Sequence, residues 1–431
     1  MSDLIINGGN ILNGEVTPSG NKNSALPILC ATLLTDETIT LHNFPDLTDL
    51  NQLVDLMKSV GSEIAWNKEE KVIKINNSNF KKEEIAEKGF PLGMRGAVLL
   101  FAPLTYRVKK LKLTSSIGGC ALGIRELDPH FDILKNMGAE VDTNGEIEID
   151  LKDSFKGADL WPDYMSVTAT ENFIMTAVLA EGTSTMNNAA SEPHVQDLCN
   201  FLNQMGAKIS GIGSSRLIVE GVEELHGTEF TISPDHHEIT TLLALGAMTG
   251  GQVRVKGVNK EHFPLIERSF SKLGVNIKYD GDTAYVDKHQ KMEILQPYTA
   301  NMLQKIEAAP WPYFPADLLP LLIALATRCE GNIMFWNKLY EGGFFWIPEM
   351  IRFGAHIVMC DPHRVIVFGG KKLKATTVDA PNIIRSTVAL MMVALCIKGE
   401  SRIRNAISIN RAHPNFIETL QNLGADIKWS E

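Results

Sequence analysis

The sequence predicts an α/β fold in two domains, each built from three copies of one unit, with buried helices at the centre and sheets outside. Three observations lead there. A helix-to-strand motif recurs six times, a helix candidate apolar on nearly every face precedes each copy, and hairpin-like segments follow several of them.

The motif is apolar-x-x-apolar-Gly-small-x-apolar. It occurs as LMKSVGSEI around Gly61, LKNMGAEV around Gly138, LNQMGAKI around Gly206, FSKLGVNI around Gly274, MIRFGAHI around Gly354 and LQNLGADI around Gly424, at intervals of 68 to 80 residues. Each copy reads as the end of an amphipathic helix, a glycine in the left-handed terminal position, and a strand that opens on an aliphatic residue. The segments VDTNGEIEID, SGIGSSRLIVEG, KYDGDTAYVD and VMCDPHRVIVFG alternate around turn residues and read as hairpins.

The apolar helix candidates upstream are Ser24–Leu34, Arg95–Leu104, Thr170–Leu179, Glu238–Met248, Ala316–Arg328 and Ile384–Lys398. Apolar residues on nearly every face imply burial all round. A unit near 70 residues is larger than the usual solenoid repeat of about 20–50, so two groups of three are expected. The first domain is placed at 22–233. The second joins 1–21 to 234–431, with the amino-terminal strand completing it, and Ile232–Glu238 (ISPDHHE) is read as a hinge strand.

Composition narrows the function. Hydrophobic residues at 44% and charged residues at 21% are ordinary for a globular protein. A net charge of −10 argues against nucleic acid as a partner. The start MSDLIINGGNILNGEV lacks a basic stretch followed by an apolar one, and no later apolar run spans a membrane without polar interruption. A cytoplasmic location with no membrane partner is therefore expected.

The six cysteines show no close pair with metal or dithiol spacing, and Cys30, Cys329 and Cys396 fall inside apolar runs. Cys120 differs. It lies in Ser115–Asp128 (SSIGGCALGIRELD), between Gly119 and Gly123 and five residues before Arg125. Its two readings are an exposed electropositive thiol of lowered pKa and a flexible turn with an incidental cysteine. His236 and His237, on opposite faces of a strand, give no metal site, and no phosphate-loop or dinucleotide fingerprint supports ATP or NAD.

Polar residues at the amino ends of the buried helices stand out. Lys22 and Asn23 open the first, Arg95 the second, Asp317 the fifth and Arg385 the sixth. A cation at a helix amino end is unfavourable for the helix alone, so Lys22, Arg95 and Arg385 are read either as solvated ends or as holders of a bound anion. Arg411 follows the last unit's strand as Arg125 follows the second's.

The stretches GNKNSALPIL, GGCALGIREL, SVTATENF, NNAASEPHVQDLCNFLNQMGAKISG, FPADL and LQNLGADI closely resemble the UDP-N-acetylglucosamine 1-carboxyvinyltransferases, a branch of the enolpyruvyl transferases, nearly end to end. The related 5-enolpyruvylshikimate-3-phosphate synthases lack the glycine-cysteine loop. The resemblance implies a two-domain inside-out α/β barrel of βαβαββ-type repeats with its active site in the cleft between the domains. It implies enolpyruvyl transfer from phosphoenolpyruvate to the 3-hydroxyl of the nucleotide sugar, without a cofactor or metal.

By position, the resemblance implies that Lys22, Arg125 and Arg411 hold the phosphoenolpyruvate phosphate and that Arg95 and Arg385 add charge. Cys120 matches the loop thiol that forms an adduct with phosphoenolpyruvate and is alkylated by fosfomycin. Asp317 faces the acceptor hydroxyl, Asn23 the sugar, Leu127 and Asp128 the uridine, and Ser166 and Val167 the diphosphate. The chain departs from the family pattern at Ile117, Ala121, Tyr164, Thr168, His236 and Gly343, where Tyr164, His236 and Gly343 replace cations. Those losses favour two further readings beside the leading one: the same transfer to another nucleotide such as UMP, or a silent paralogue that binds a nucleotide sugar.

Overall fold

The computed structural model describes residues 3–90, 95–114, 126–299, 301–411, 413 and 415–430, and only the backbone of Arg95. Cys120 and Arg125, with Ile117 and Ala121, lie outside the described residues. Helices and strands alternate along the chain, as an α/β fold requires.

Each expected buried helix is present. The first spans Lys22–Ala31 and continues as a 3₁₀ turn, Thr32–Leu34. The second is a 3₁₀ segment, Arg95–Leu100, that runs into Phe101–Val108. The third is Val167–Ala177, the fourth His236–Thr249, the fifth Leu319–Ala326 after a 3₁₀ turn at Ala316–Leu318, and the sixth Ile384–Cys396. Every residue of the fifth is buried, and the fourth is buried from His236 to Met248. A helix without a solvent-facing stripe persists only where neighbours cover it on all sides. Each large aliphatic side chain so buried contributes about 1.5–3 kcal/mol.

The helices that lead into the repeated glycines are of the other kind. Pro264–Lys272 buries Ile266, Ser269 and Phe270, at spacings of three and one, and turns its charged residues outward. The six motif glycines, Gly61, Gly138, Gly206, Gly274, Gly354 and Gly424, all have positive φ, from +74° to +106°. A side chain is disfavoured there, so glycine ends the helix and lets the next strand turn back.

The chain divides into two compact units, one of residues 3–19 and 234–430 and one of residues 20–114 and 126–233. Each contains three of the six sheets found among the described residues. Five share one plan, seen in the sheet of the fifth repeat. Gln304–Ala308 lies parallel to Gly331–Asn337, which pairs antiparallel with Arg364–Gly369, and that strand pairs in turn with its hairpin partner His356–Asp361. The second repeat has three strands, with an isolated parallel bridge from Phe90 to Leu113 at the edge position.

Three strands are borrowed across long stretches of sequence. Leu4–Gly8 sits between Gly399–Arg404 and Asp426–Trp429, so the amino terminus closes the last sheet. Asn13–Val16 lies parallel to Gln252–Val255, while Glu229–Thr231 lies parallel to Ile39–His42. The chain thus passes from unit to unit near residues 19–20 and 233–234. Within one unit the Asn21 N–H donates to the Ser233 carbonyl (2.8 Å), and within the other the Asp235 N–H donates to the Ser19 carbonyl (2.9 Å).

One expected element is corrected. Ile232–Glu238 is not a hinge strand: Asp235 caps the fourth helix and His236, His237 and Glu238 form its first turn. The Asp235 side chain satisfies an amide of that turn, which outweighs the extended preference suggested by the preceding Ile-Ser-Pro. In the fourth unit of the chain, two glycines separate strain from crowding. Gly281 has φ +61° and open space around an added Cβ, whereas at Gly274 that atom would fall 2.6 Å from the backbone of Glu293. Gly281→Ala is expected to cost about 1 kcal/mol and Gly274→Ala about 3 kcal/mol, measured as shifts in urea unfolding; equal shifts would contradict the crowding at Gly274.

Candidate active site

In the unit of residues 3–19 and 234–430, charged groups gather at the amino ends of the fourth and sixth helices around one carboxylate. Asp235 is about 1% exposed. Its Oδ1 accepts the His237 N–H at 2.8 Å and the His237 ring Nδ1 at 3.0 Å. Its Oδ2 lies 4.0 Å from Arg385 Nη2 and 3.8 Å from His413 Nδ1. Burial alone would raise its pKa, but the hydrogen bond and charge of His237, with the charge of Arg385, hold it well below the usual carboxylate range.

Arg385 is the second residue of the sixth helix and is nearly buried. Its Nη1 is 3.0 Å from His413 Nε2, and its Nε is 4.0 Å from Asp317 Oδ2 in the 3₁₀ turn before the fifth helix. Glu238 Oε2 accepts the backbone N–H of Ser19 at 2.9 Å and its hydroxyl at 2.5 Å, and lies 3.9 Å from His413 Nδ1. Two predicted residues, Arg385 and Asp317, are thereby adjacent. Arg411 ends the 3₁₀ segment Ala406–Arg411 and is exposed.

His236 and His237 do not point apart, as strand residues would. On the first helical turn their ring centroids are 4.0 Å apart, and with Asp235 they place one donor atom each within 4.8 Å of one another. Asp235 is the carboxylate at ligand reach that the sequence spacing did not disclose. Both of its oxygens are engaged here, one by the helix cap and one toward Arg385 and His413.

Gly343 belongs to the same unit and lacks room for a side chain. An added Cβ would fall 2.2 Å from Asn337 Nδ2, and Asn337 is buried with its Oδ1 accepting the N–H groups of Leu339 and Tyr340. Glycine at this position is thus matched to the close packing of Asn337.

In the other unit, Lys22 opens the first helix and its Nζ is 2.5 Å from Asp49 Oδ2, both side chains 12% exposed. Asn21 caps this helix by accepting the Asn23 N–H at 2.8 Å. The backbone of Arg95 opens the second helix. Leu127 packs partly against the core at the start of the helix Asp128–Asn136, and Asp128 sits in its first turn, where a negative charge is favoured. Ser166 caps the third helix and Val167 is its first residue. Behind that end, Asn172 Nδ2 donates to His130 Nδ1 at 2.7 Å, which leaves the ring proton on Nε2, 3.3 Å from the Thr168 hydroxyl.

The remaining described thiols are structural or apart from these groups. Burial pushes Cys199, Cys329 and Cys396 up to about 12, and Cys30 higher still, so none is a ready nucleophile. Sequence reasoning missed Asp49, Asp235, Glu238 and His413. For Asp235 and Glu238 a signal existed, since Asp followed three residues later by Glu before an apolar run is a helix-start signature.

A two-unit α/β fold that sets arginines and carboxylates at buried helix ends marks a class, and comparison with known proteins defines it. The chain belongs to the EPSP synthase (3-phosphoshikimate 1-carboxyvinyltransferase) family, which it matches over residues 6–420. It is 40% identical to the UDP-N-acetylglucosamine 1-carboxyvinyltransferase of Borreliella burgdorferi over 428 residues, covering 99% of both chains. It is 39% identical to the protein of that name from Bradyrhizobium diazoefficiens, covering 98% of this chain and 97% of the relative. Among solved structures, an enolpyruvyl transferase from Streptomyces tendae shares the fold, with a TM-score of 0.86 at 20% identity over 100% of this chain and 99% of that one.

The third helix also carries a buried acid. Glu171 is about 2% exposed, its Oε1 has no hydrogen-bond partner among the described residues, and burial, reinforced by the charge of Glu192, raises its pKa well above the carboxylate range. The folded chain therefore keeps a proton that the unfolded chain releases above about pH 4.3. Stability is full below that value and declines as pH rises toward the folded pKa. Glu171→Gln is expected to remove this decline, read as urea midpoints between about pH 5 and 8; a variant with the wild-type slope would contradict the assignment.

Proposed function

We propose that this chain transfers the enolpyruvyl group of phosphoenolpyruvate to the 3-hydroxyl of UDP-N-acetylglucosamine with release of phosphate, the first committed step of peptidoglycan precursor synthesis. The observation that carries the reading is the 40% identity, over 99% of both chains, to a relative of that name. The substrates are two small molecules, and the reading places the work in the cytoplasm. None of the described helices is long and apolar enough to cross a membrane.

In this reading Lys22, Arg125 and Arg411 hold the phosphate of phosphoenolpyruvate, with Arg95 and Arg385 adding charge. Asn23 meets the acceptor sugar, Leu127 and Asp128 the uridine, and Ser166 and Val167 the diphosphate. The acceptor oxygen adds to C2 while a proton is delivered to C3, which gives a tetrahedral ketal. Loss of a C3 proton and departure of phosphate with the bridging oxygen then leave the enolpyruvyl ether. Asp317 orients the acceptor hydroxyl and takes its proton, work that contributes about 10²–10⁴-fold when a positioned side chain performs it. Fixed cations stabilise the phosphate through both steps. Cys120 supplies the thiol that forms an adduct with phosphoenolpyruvate and is alkylated by fosfomycin.

A second reading is favoured by Gly343, which has no room for a side chain, and by His236 at another position where the family pattern has a cation. It keeps the reaction and replaces the acceptor by a smaller nucleotide such as UMP. Phosphate release from phosphoenolpyruvate is the test. Turnover with UDP-N-acetylglucosamine and none with UMP is expected, and the reverse would transfer the proposal to the second reading. Asp317→Asn is expected to lower kcat by about 10²-fold or more with little change in the KM for phosphoenolpyruvate. Cys120→Ser is expected to abolish covalent labelling by fosfomycin, and undiminished labelling would refute the role of that thiol.

A further inference from the structure

The buried cluster around Asp235 contains a histidine that the proposed reaction does not use. His413 is about 1% exposed and lies against the Phe416 ring, with centroids 4.7 Å apart. Its Nε2 is 3.0 Å from Arg385 Nη1. A guanidinium carries donors and no acceptor, so the contact is a hydrogen bond only if Nε2 presents its lone pair. The ring is then neutral with its proton on Nδ1. That nitrogen faces Asp235 Oδ2 at 3.8 Å and Glu238 Oε2 at 3.9 Å, two acceptors suited to the same tautomer.

We propose that His413 is a positioning residue for Arg385: as the neutral Nδ1–H tautomer it accepts a hydrogen bond from the guanidinium and aims it at the anionic substrate. The proposal rests on the reading that Arg385 faces phosphoenolpyruvate. Protonation of His413 would set an Nε2–H against the Nη1–H of Arg385 at 3.0 Å, which displaces the guanidinium. The charged and titratable groups around the ring act in opposite directions. Asp235 and Glu238 from the fourth helix draw a proton in, whereas Arg385 from the sixth helix opposes it. His237 engages the other oxygen of Asp235, and Asp317 lies 4.0 Å beyond Arg385 Nε. Arg385 therefore holds anion best when His413 is neutral, and the KM for phosphoenolpyruvate rises as the pH falls through the titration of His413.

Two substitutions separate positioning from space filling. His413→Gln keeps an acceptor that does not titrate, whereas His413→Leu keeps volume and removes the acceptor. His413→Leu is expected to raise the KM for phosphoenolpyruvate about tenfold with kcat changed much less, and His413→Gln to stay near wild type while losing the acid-side rise in KM. Equal behaviour of the two variants, or a wild-type acid limb in His413→Gln, would overturn the proposal. Nitrogen NMR of isotope-labelled histidine, with His413 assigned by its absence in His413→Gln, needs neither turnover nor a folded His413→Leu. The Nδ1–H tautomer at alkaline pH is expected, and the Nε2–H tautomer would overturn the proposal. A KM indifferent to Arg385→Gln would overturn the reading of Arg385 on which it rests, while the tautomer separately decides whether His413 holds that side chain.

Discussion

The placement of Asp235 is the constraint on which much of its unit depends. It comes just after the chain enters that unit, its own N–H is tied to the Ser19 carbonyl, and one side-chain oxygen closes the first turn of the fourth helix. The other oxygen faces Arg385 and His413. A buried carboxylate is costly unless paired and hydrogen-bonded, and here both conditions are met by groups from two helices and the carboxy-terminal segment. The carboxylate that starts one helix thus also faces the guanidinium of the sixth.

Helices covered on every side leave few places for polar groups, and their ends are the exception. Unpaired N–H groups at an amino end already favour negative charge. Arg385 and Lys22 at such ends are therefore set against carboxylates, Asp235 and Asp317 for the first and Asp49 for the second. These pairings explain how cations persist beside apolar cores in the folded protein. In the proposed reaction, the substrate phosphate shares or replaces a carboxylate partner.

Much of the fold was legible because it is written six times. The glycine after each amphipathic helix needs a positive φ, and each apolar run is too uniformly apolar to face water, so local rules and the repeat agree. The misread stretch at Ile232–Glu238 shows where such rules compete: the capping role of Asp235 depends on which segment follows it, and two histidines do not announce a buried helix. The charged helix ends were legible in part. Lys22, Arg385 and Asp317 stood out as charges interrupting apolar runs, but their partners did not. His413 meets Arg385 across 28 residues and Asp235 across a longer interval, and no spacing rule links positions joined only by tertiary packing.

The chemistry attributed to the chain makes one bond-level claim, that the C–O bond of phosphoenolpyruvate breaks and the P–O bond does not. Phosphoenolpyruvate carrying heavy oxygen in the bridging position, incubated with the protein and UDP-N-acetylglucosamine, reads this directly. Addition and elimination at C2 predict that the label leaves with the released phosphate and that the nucleotide sugar gains an unlabelled enolpyruvyl ether. Unlabelled phosphate, with the heavy oxygen left in pyruvate or in the sugar product, would contradict enolpyruvyl transfer.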